Sequence, residues 1–344
     1  MIWLTWRQFR AQAIVAGAAL VAVAVALGVT RSNVVSMFDS SGLATCRSGC
    51  GTDAGNFINQ VKGSGTELIF YGGILLVYAV PALIGLFWGA PLVTREFEAG
   101  TFRLAWNQSV TRNRWIAVKL GAIGLAAMVV AGLLSLMTSW WASPLYQAAQ
   151  KASSDPLSIT KLAPALFGAT GIVPVGYAAF GFALGVTAGV LIRRTLPAMA
   201  ITLAIFAVIQ IFWPVVVRAH LIAPAHAIQP LNAVNWSGTG DTDGGHLILQ
   251  PGTISGYPPG TWFTVSQPVD AAGRPVTMAP QACVSRNIVA NNFLPCLQSH
   301  GVRLAVSYQP ASRYWAFQWL ETGIFLILAA GLGTLCYWRV RRLN

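Results

Sequence analysis

Charge is what this chain has least of. Of 344 residues, 22 are Lys or Arg and 10 are Asp or Glu, 9% in all, against roughly a quarter in a soluble domain. That scarcity excludes an ordinary water-soluble globule. Other absences narrow the chemistry. No G-x-x-x-x-G-K-[ST] run is present, so the chain cannot cradle and split a nucleoside triphosphate by P-loop chemistry. Neither H-E-x-x-H nor G-x-S-x-G occurs, which removes the common spacings of zinc and serine hydrolases. Asp241 and Asp243 open a D-x-D-G run, but counting a twelve-residue calcium loop reaches Gly252 where a bidentate glutamate is required. A glycine-rich turn is the better reading, and no metal site is expected. The net charge of +12 is dispersed in short clusters between uncharged runs, so nucleic acid is not an expected partner. Lysine is rare, 4 against 18 arginines, and with abundant alanine this reads as a bacterial chain.

Apolar length is what the chain has in excess. Hydrophobic residues make up 55% and the mean hydropathy is +0.60. A bilayer core about 30 Å thick needs roughly 20 apolar residues of helix, and six runs reach that length: Ala11–Thr30, Leu68–Thr94, Leu120–Trp141, Leu162–Ile192, Thr195–Val217 and Tyr314–Trp338. The first follows Trp3, Trp6, Arg7, Phe9 and Arg10, too aromatic for an ordinary signal peptide, and is read as a span. The fourth is longer than a helix needs and carries Pro164 and Pro174, so a kink or short re-entrant piece is expected at its outer part. With the N-terminus inside, residues 1–10, 95–119, 193–194 and 339–344 hold 12 of the 22 Lys and Arg. Their density there is about fourfold higher than in the other loops, so the positive-inside rule places both termini in the cytoplasm. The expected fold is an all-α integral membrane protein of six transmembrane helices, N-in and C-in, in a bacterial plasma membrane. Its parts are an amphipathic helix over 1–10, spans one to five over 11–217 with a cytoplasmic loop at 95–119, an extracellular loop domain over 218–313, and a sixth span with a basic end over 314–344.

The 218–313 loop reads as the only segment large enough to fold outside the membrane. It is rich in glycine and proline, with strand-prone pieces at Thr261–Val265 and Val302–Tyr308. Cys46, Cys50, Cys283 and Cys296 fall on the outer side and Cys336 near the inner end of span six. An even external set implies disulfides. Three connectivities are open, and closeness in sequence favours Cys46 with Cys50 and Cys283 with Cys296; neither pair has the C-x-x-C spacing usual for zinc. All four histidines also map outside. Glu321 is the one carboxylate inside a span, where an acid is costly unless it faces a partner or a cavity; the alternative is that it sits at the interface.

The loop after span two is the most informative stretch. Phe97, Phe102 and Trp106 among Arg95, Glu98 and Arg103 form a short amphipathic element suited to a membrane surface, broken at Gly100 where a helix can end, and Thr111 can cap span three. Glu98-x-Gly100-Thr101, Leu104 three residues on, then Val110-Thr111-Arg112 and Lys119 resemble the first intracellular loop of type 2 ATP-binding-cassette (ABC) exporter permeases, with Ser109 where that family often has proline. The resemblance implies that this loop is a coupling helix docking on a separate ATPase, with Glu96, Glu98, Gly100, Thr101 and Arg103 as its coupling residues and Glu98 facing a basic group or helix N-terminus of that ATPase. It also implies an amphipathic helix before span one, a disulfide-bonded loop between spans five and six, as Cys283 and Cys296 would give, and spans two and five meeting across a dimer. Tyr71 and Tyr78, with Phe206, Gln210 and Trp213, each set on one helical face, would then line the substrate path. Partners would be two ATPase subunits, which carry the ATP and Mg, and a second permease subunit in a homodimer or heterodimer within the lipid bilayer. The chain itself would hold no cofactor and be no enzyme, moving an amphipathic or hydrophobic substrate out of the cell. The rival reading is a membrane-anchored enzyme or sensor whose external domain does the work without a transport cycle.

Overall fold

The computed structural model describes the whole chain except residues 1, 48, 101–111, 152–159, 233–235, 242–246, 252–253, 255–256, 285–291 and 343–344. Among the described residues, six helices are long and apolar enough to cross a membrane: Phe9–Ser40, Thr66–Glu98, Ala117–Trp141, Val173–Ile192, Thr195–Leu221 and Ala311–Arg341. They are spans one to six. One side of the bundle carries Phe9, the Pro91–Glu98 end of span two and Val340 and is called here the basic side; the other carries both disulfides and is called the sheet side.

Span one belongs to a single helix, Ile2–Ser40, of 39 residues. Residues 2–10 are therefore continuous with the span rather than set off from it. At 1.5 Å per residue this helix is about 58 Å long, nearly twice the hydrocarbon core, so its last turns project beyond the bilayer. Helices Gly51–Gly63 and Ser143–Lys151 cover them. Val34, Phe38, Leu43, Phe57, Ile58 and Leu145 form the core of this cap, Phe38 meets Phe57 edge-on at 5.6 Å, and the Cys46–Cys50 disulfide closes the turn between them. The sheet side thus has a second folded unit besides the 218–313 loop, contrary to expectation. Its helices are short and amphipathic, so a search for long apolar runs passes over them.

Span four is the axis. Its apolar window is 83% buried, against 6% for span one, as befits a helix hydrophobic on every face. Gly181, Gly185 and Gly189 repeat at i, i+4 and bring it against span two. A Cβ on Gly185 would lie 2.2 Å from the Gly85 carbonyl oxygen, and one on Gly89 2.6 Å from that of Phe182, so only glycine permits this approach. Opposite it, Gly85–Gly89 forms a π-helical turn before the helix resumes at Pro91; span five has a similar turn at Trp213–Val217, containing Pro214. Proline lacks the N–H and crowds the carbonyl four residues back, which breaks the ordinary ladder. Pro164 opens a one-turn helix, Pro164–Phe167, and the chain reverses at Gly171 before span four, so the proline-bearing end of the fourth run is a separate piece.

The 218–313 loop folds as an antiparallel sheet unit. β1 (Ala225–Pro230), β5 (Arg303–Gln309) and β4 (Trp262–Val269) pair in that order, and β2 (Trp236–Asp241) pairs with β3 (Leu247–Pro251). Leu249, Cys283, Phe293, Leu297, Leu304 and Val306 form its core, closed by the Cys283–Cys296 disulfide. Gln309 donates to the Ile222 carbonyl at 2.7 Å and Arg313 to that of Ala223 at 2.8 Å, fastening the sheet to the ends of spans five and six.

Candidate functional site

Two polar clusters interrupt the apolar bundle, one at each end of span five. On the basic side, the helix Pro91–Glu98 carries span two into the loop and ends in a turn where Gly100 takes φ +67. Just before that end, Glu96 pairs with the buried ammonium of Lys119 on span three. Glu98 turns toward span five: its Oε1 accepts from the Thr195 backbone N–H at 2.8 Å and its Oε2 from the Thr195 hydroxyl at 2.8 Å. Thr195 is the first residue of span five, where N–H groups have no partner within the helix and the helix dipole favours an anion. Thr94 places its hydroxyl 2.8 Å from that of Thr195, and Arg193, in the two-residue connection of spans four and five, lies 5.9 Å from the Phe97 ring. The segment after span two is thereby joined to the start of span five within one chain. The helix N-terminus that Glu98 was expected to find on a partner is supplied here by the chain itself.

On the sheet side, Arg218 opens the last turn of span five, and Glu321 sits about three turns into span six. Both are fully buried. The Arg218 Nε donates to Glu321 Oε2 at 2.8 Å and Nη2 to Oε1 at 2.8 Å, a two-pronged pair, while Nη1 donates to the Pro164 carbonyl at 2.8 Å. The Tyr177 hydroxyl of span four donates to Glu321 Oε1, and the guanidinium lies 4.6 Å over the Phe167 ring. Tyr78 stacks on Tyr177 at 6.4 Å, its buried hydroxyl without a well-formed hydrogen bond. One turn before Glu321, Gln318 accepts from the backbone N–H groups of Ile172 and Val173 at 2.9 and 3.1 Å, which completes the start of span four. Isolated charges at this depth are costly; a two-pronged pair with further hydrogen bonds offsets much of the desolvation. Five elements therefore converge on one buried ion pair.

Of the residues singled out from sequence, Glu96, Glu98 and Gly100 lie together at the basic side, while Thr101, Arg103 and Thr111 fall outside the described residues. Among the candidate lining residues, Tyr71 is exposed on span two. Tyr78 joins the Arg218 cluster, and Phe206 is buried and stacked 6.3 Å from Phe180. Trp213 meets Phe325 at 4.7 Å, and Gln210 keeps both amide atoms buried without a partner. Cys336 is a buried free thiol. His300 lies 3.8 and 3.9 Å from the two sulfurs of Cys283 and Cys296, but the sulfurs are bonded to each other and the His300 Nδ1 lies 2.9 Å from the Cys296 carbonyl, so the trio does not offer three free ligands. Arg218 was missed because a charge ending an uncharged run reads as the start of a loop; the clue was Glu321, a lone acid in need of a cation.

Six spans, with span four buried as the axis of the bundle, define a multi-pass membrane protein. Residues 17–218 match the family described as ABC-2 membrane transporter related, more than half of the chain, and the chain belongs to that family. It is accordingly a membrane permease of an ABC transporter, a class that works with an ABC ATPase. The match ends at Arg218, so the sheet unit and span six lie beyond it. No curated protein and no solved structure matches the chain.

Proposed function

We propose that the chain is the transmembrane subunit of an exporter that moves an amphipathic or hydrophobic substrate across a bacterial plasma membrane. ATP and Mg are bound and turned over by two separate ATPase subunits. The basic side faces the cytoplasm in this reading, which the arginine distribution supports and the cysteines support independently: the four bridged cysteines share one side, and the free Cys336 lies toward the other. A second permease subunit, a copy of this chain or a related one, completes the pathway, with Tyr71, Tyr78, Phe206, Gln210 and Trp213 as its candidate lining.

The observation that carries the reading is the double hydrogen bond of Glu98 to Thr195. A permease without a P-loop must receive force through a basic-side surface, and here the exposed segment that receives it holds the first residue of span five. Closure of the ATPases on the loop would pull that end. Glu98→Arg with Gly100→Pro is expected to leave membrane insertion intact and to remove ATPase association or substrate-stimulated ATP hydrolysis. A doubly substituted subunit that copurified its ATPase and exported at the parental rate would refute the assignment of the loop.

A further inference from the structure

We propose that a crevice between spans three and six on the sheet side is a binding site for one net-anionic phospholipid of that leaflet. It encloses about 900 Å³. Its lower wall is apolar: Val129, Leu133 and Leu136 of span three line it and remain exposed, as a surface meant for an acyl chain would be. From Val129 to Trp140 the helix rises about 16 Å, roughly the depth of one leaflet in a core of about 30 Å. At the top, Trp140 and Trp315 flank the opening, the place where indole rings sit at the headgroup level.

The chemistry changes above the tryptophans. Gln147, Gln150 and Lys161 line the upper part. A smaller chamber of about 260 Å³ shares Tyr146, Gln150, Lys161, Tyr314 and Trp315 with the crevice and runs on to Pro259, Gly260 and Ala311 beneath the sheet unit. The Lys161 ammonium lies 5.1 Å from the Tyr146 ring and 5.9 Å from that of Tyr314, and among the described residues no carboxylate comes within ion-pair distance of it. Arg31 adds a second cation behind the wall, 4.1 Å over the Trp140 ring and 3.3 Å from the Ser143 hydroxyl. An apolar slot one leaflet deep, an aromatic collar and, above it, a cation with no carboxylate partner among the described residues match the three parts of such a lipid in order. Occupancy needs neither an ATPase nor transport, so this site and the permease reading fail independently.

The test uses the full-length protein in bilayers of equal phosphatidylglycerol and phosphatidylcholine, extracted in mild detergent and weighed by native mass spectrometry. The parent is expected to retain one lipid with about fivefold preference for phosphatidylglycerol, as one basic side chain near a headgroup provides. Lys161→Gln, at an exposed position, should keep a lipid and lose the preference, and Leu133→Trp with Leu136→Trp should reduce retention of both lipids. A phosphatidylglycerol with a photoreactive acyl chain should label the peptide spanning 129–136. An excess of glycerol phosphate should not displace the lipid; displacement would mean that the site takes a soluble phosphate. Equal retention of both lipids by the parent, unchanged preference in Lys161→Gln, labelling elsewhere, or a lipid-free dimer that buries the crevice would overturn the proposal.

Discussion

Span five is held at both ends by a glutamate, and the two grips differ in kind. At its start, Glu98 is exposed and accepts from one N–H and one hydroxyl. At its end, Glu321 is wholly buried and clasps a buried arginine. A contact in water exchanges protein for solvent at little cost, whereas separating two charges in a low-dielectric interior leaves both unsatisfied. The basic-side grip is therefore suited to making and breaking in a cycle, and the sheet-side grip to staying closed.

The largest effect that would break this comparison comes from Glu321→Ala. It leaves Arg218 buried without its anion and should cost about 3–5 kcal/mol, read as a lowered unfolding midpoint in detergent. Arg218→Met combined with Glu321→Leu should recover part of that loss; single variants as stable as the parent would show that the buried pair is not a structural clasp. Next in size, Cys283→Ser with Cys296→Ser should loosen the sheet unit by about 2–4 kcal/mol. Hydrogen exchange in Trp262–Val269 and Arg303–Gln309 should rise while the spans keep their protection; uniform exchange throughout would mean that the unit does not depend on the bridge. Glu98→Gln sharpens the comparison from the other side. It should leave the unfolding midpoint unchanged yet lower substrate-stimulated ATP hydrolysis by about tenfold, within the range of coupling between distant sites; a large fall in midpoint with normal hydrolysis would reverse the roles assigned to the two ends.

The smallest effect concerns a half-buried acid of the sheet unit. Asp270 accepts from the Arg274 backbone N–H at 2.9 Å and from its guanidinium at 2.8 Å, and these bonds, the backbone one first, hold its carboxyl below the usual range. A depressed folded value means that the turn gains stability above the unfolded value and loses it as pH falls through the folded one. Exchange protection at Gly273 and Arg274 should therefore fade only below the ordinary carboxylate range, and Asp270→Asn should remove that pH dependence. Protection that already fades nearer neutral pH would point to another group.

The six spans were legible because lipid leaves one strong demand, about 20 apolar residues in a row, and each run meets it without help from its neighbours. The helices that cap span one were not, since their stability comes from burying one face against Phe38 and Leu43, a pattern too short to stand out in sequence. The end of the loop helix at Gly100 was readable as local chemistry. Partners were harder. Glu98 is 97 residues from Thr195, and Arg218 is 103 from Glu321; no spacing rule connects residues that meet only after the bundle has closed. Two strand pieces within 218–313, Thr261–Val265 and Val302–Tyr308, were readable from β-prone residues and turn chemistry and fall on β4 and β5; β1, β2 and β3 were not singled out, and the order β1, β5, β4 depends on pairing between distant segments.

The glycine seam between spans two and four bears on motion. Where two backbones touch with no side chains between them, there is no rotamer to change and no layer to slide, so the pair moves as a single mast. Any rearrangement that opens a path must take place around it, in spans whose contacts are made through side chains, and the π turn of span five, which contains Pro214, is where a helix fastened at its ends has slack to bend. Replacing Gly185 with alanine would then remove more than stability: it would pry apart the seam on which spans two and four are joined.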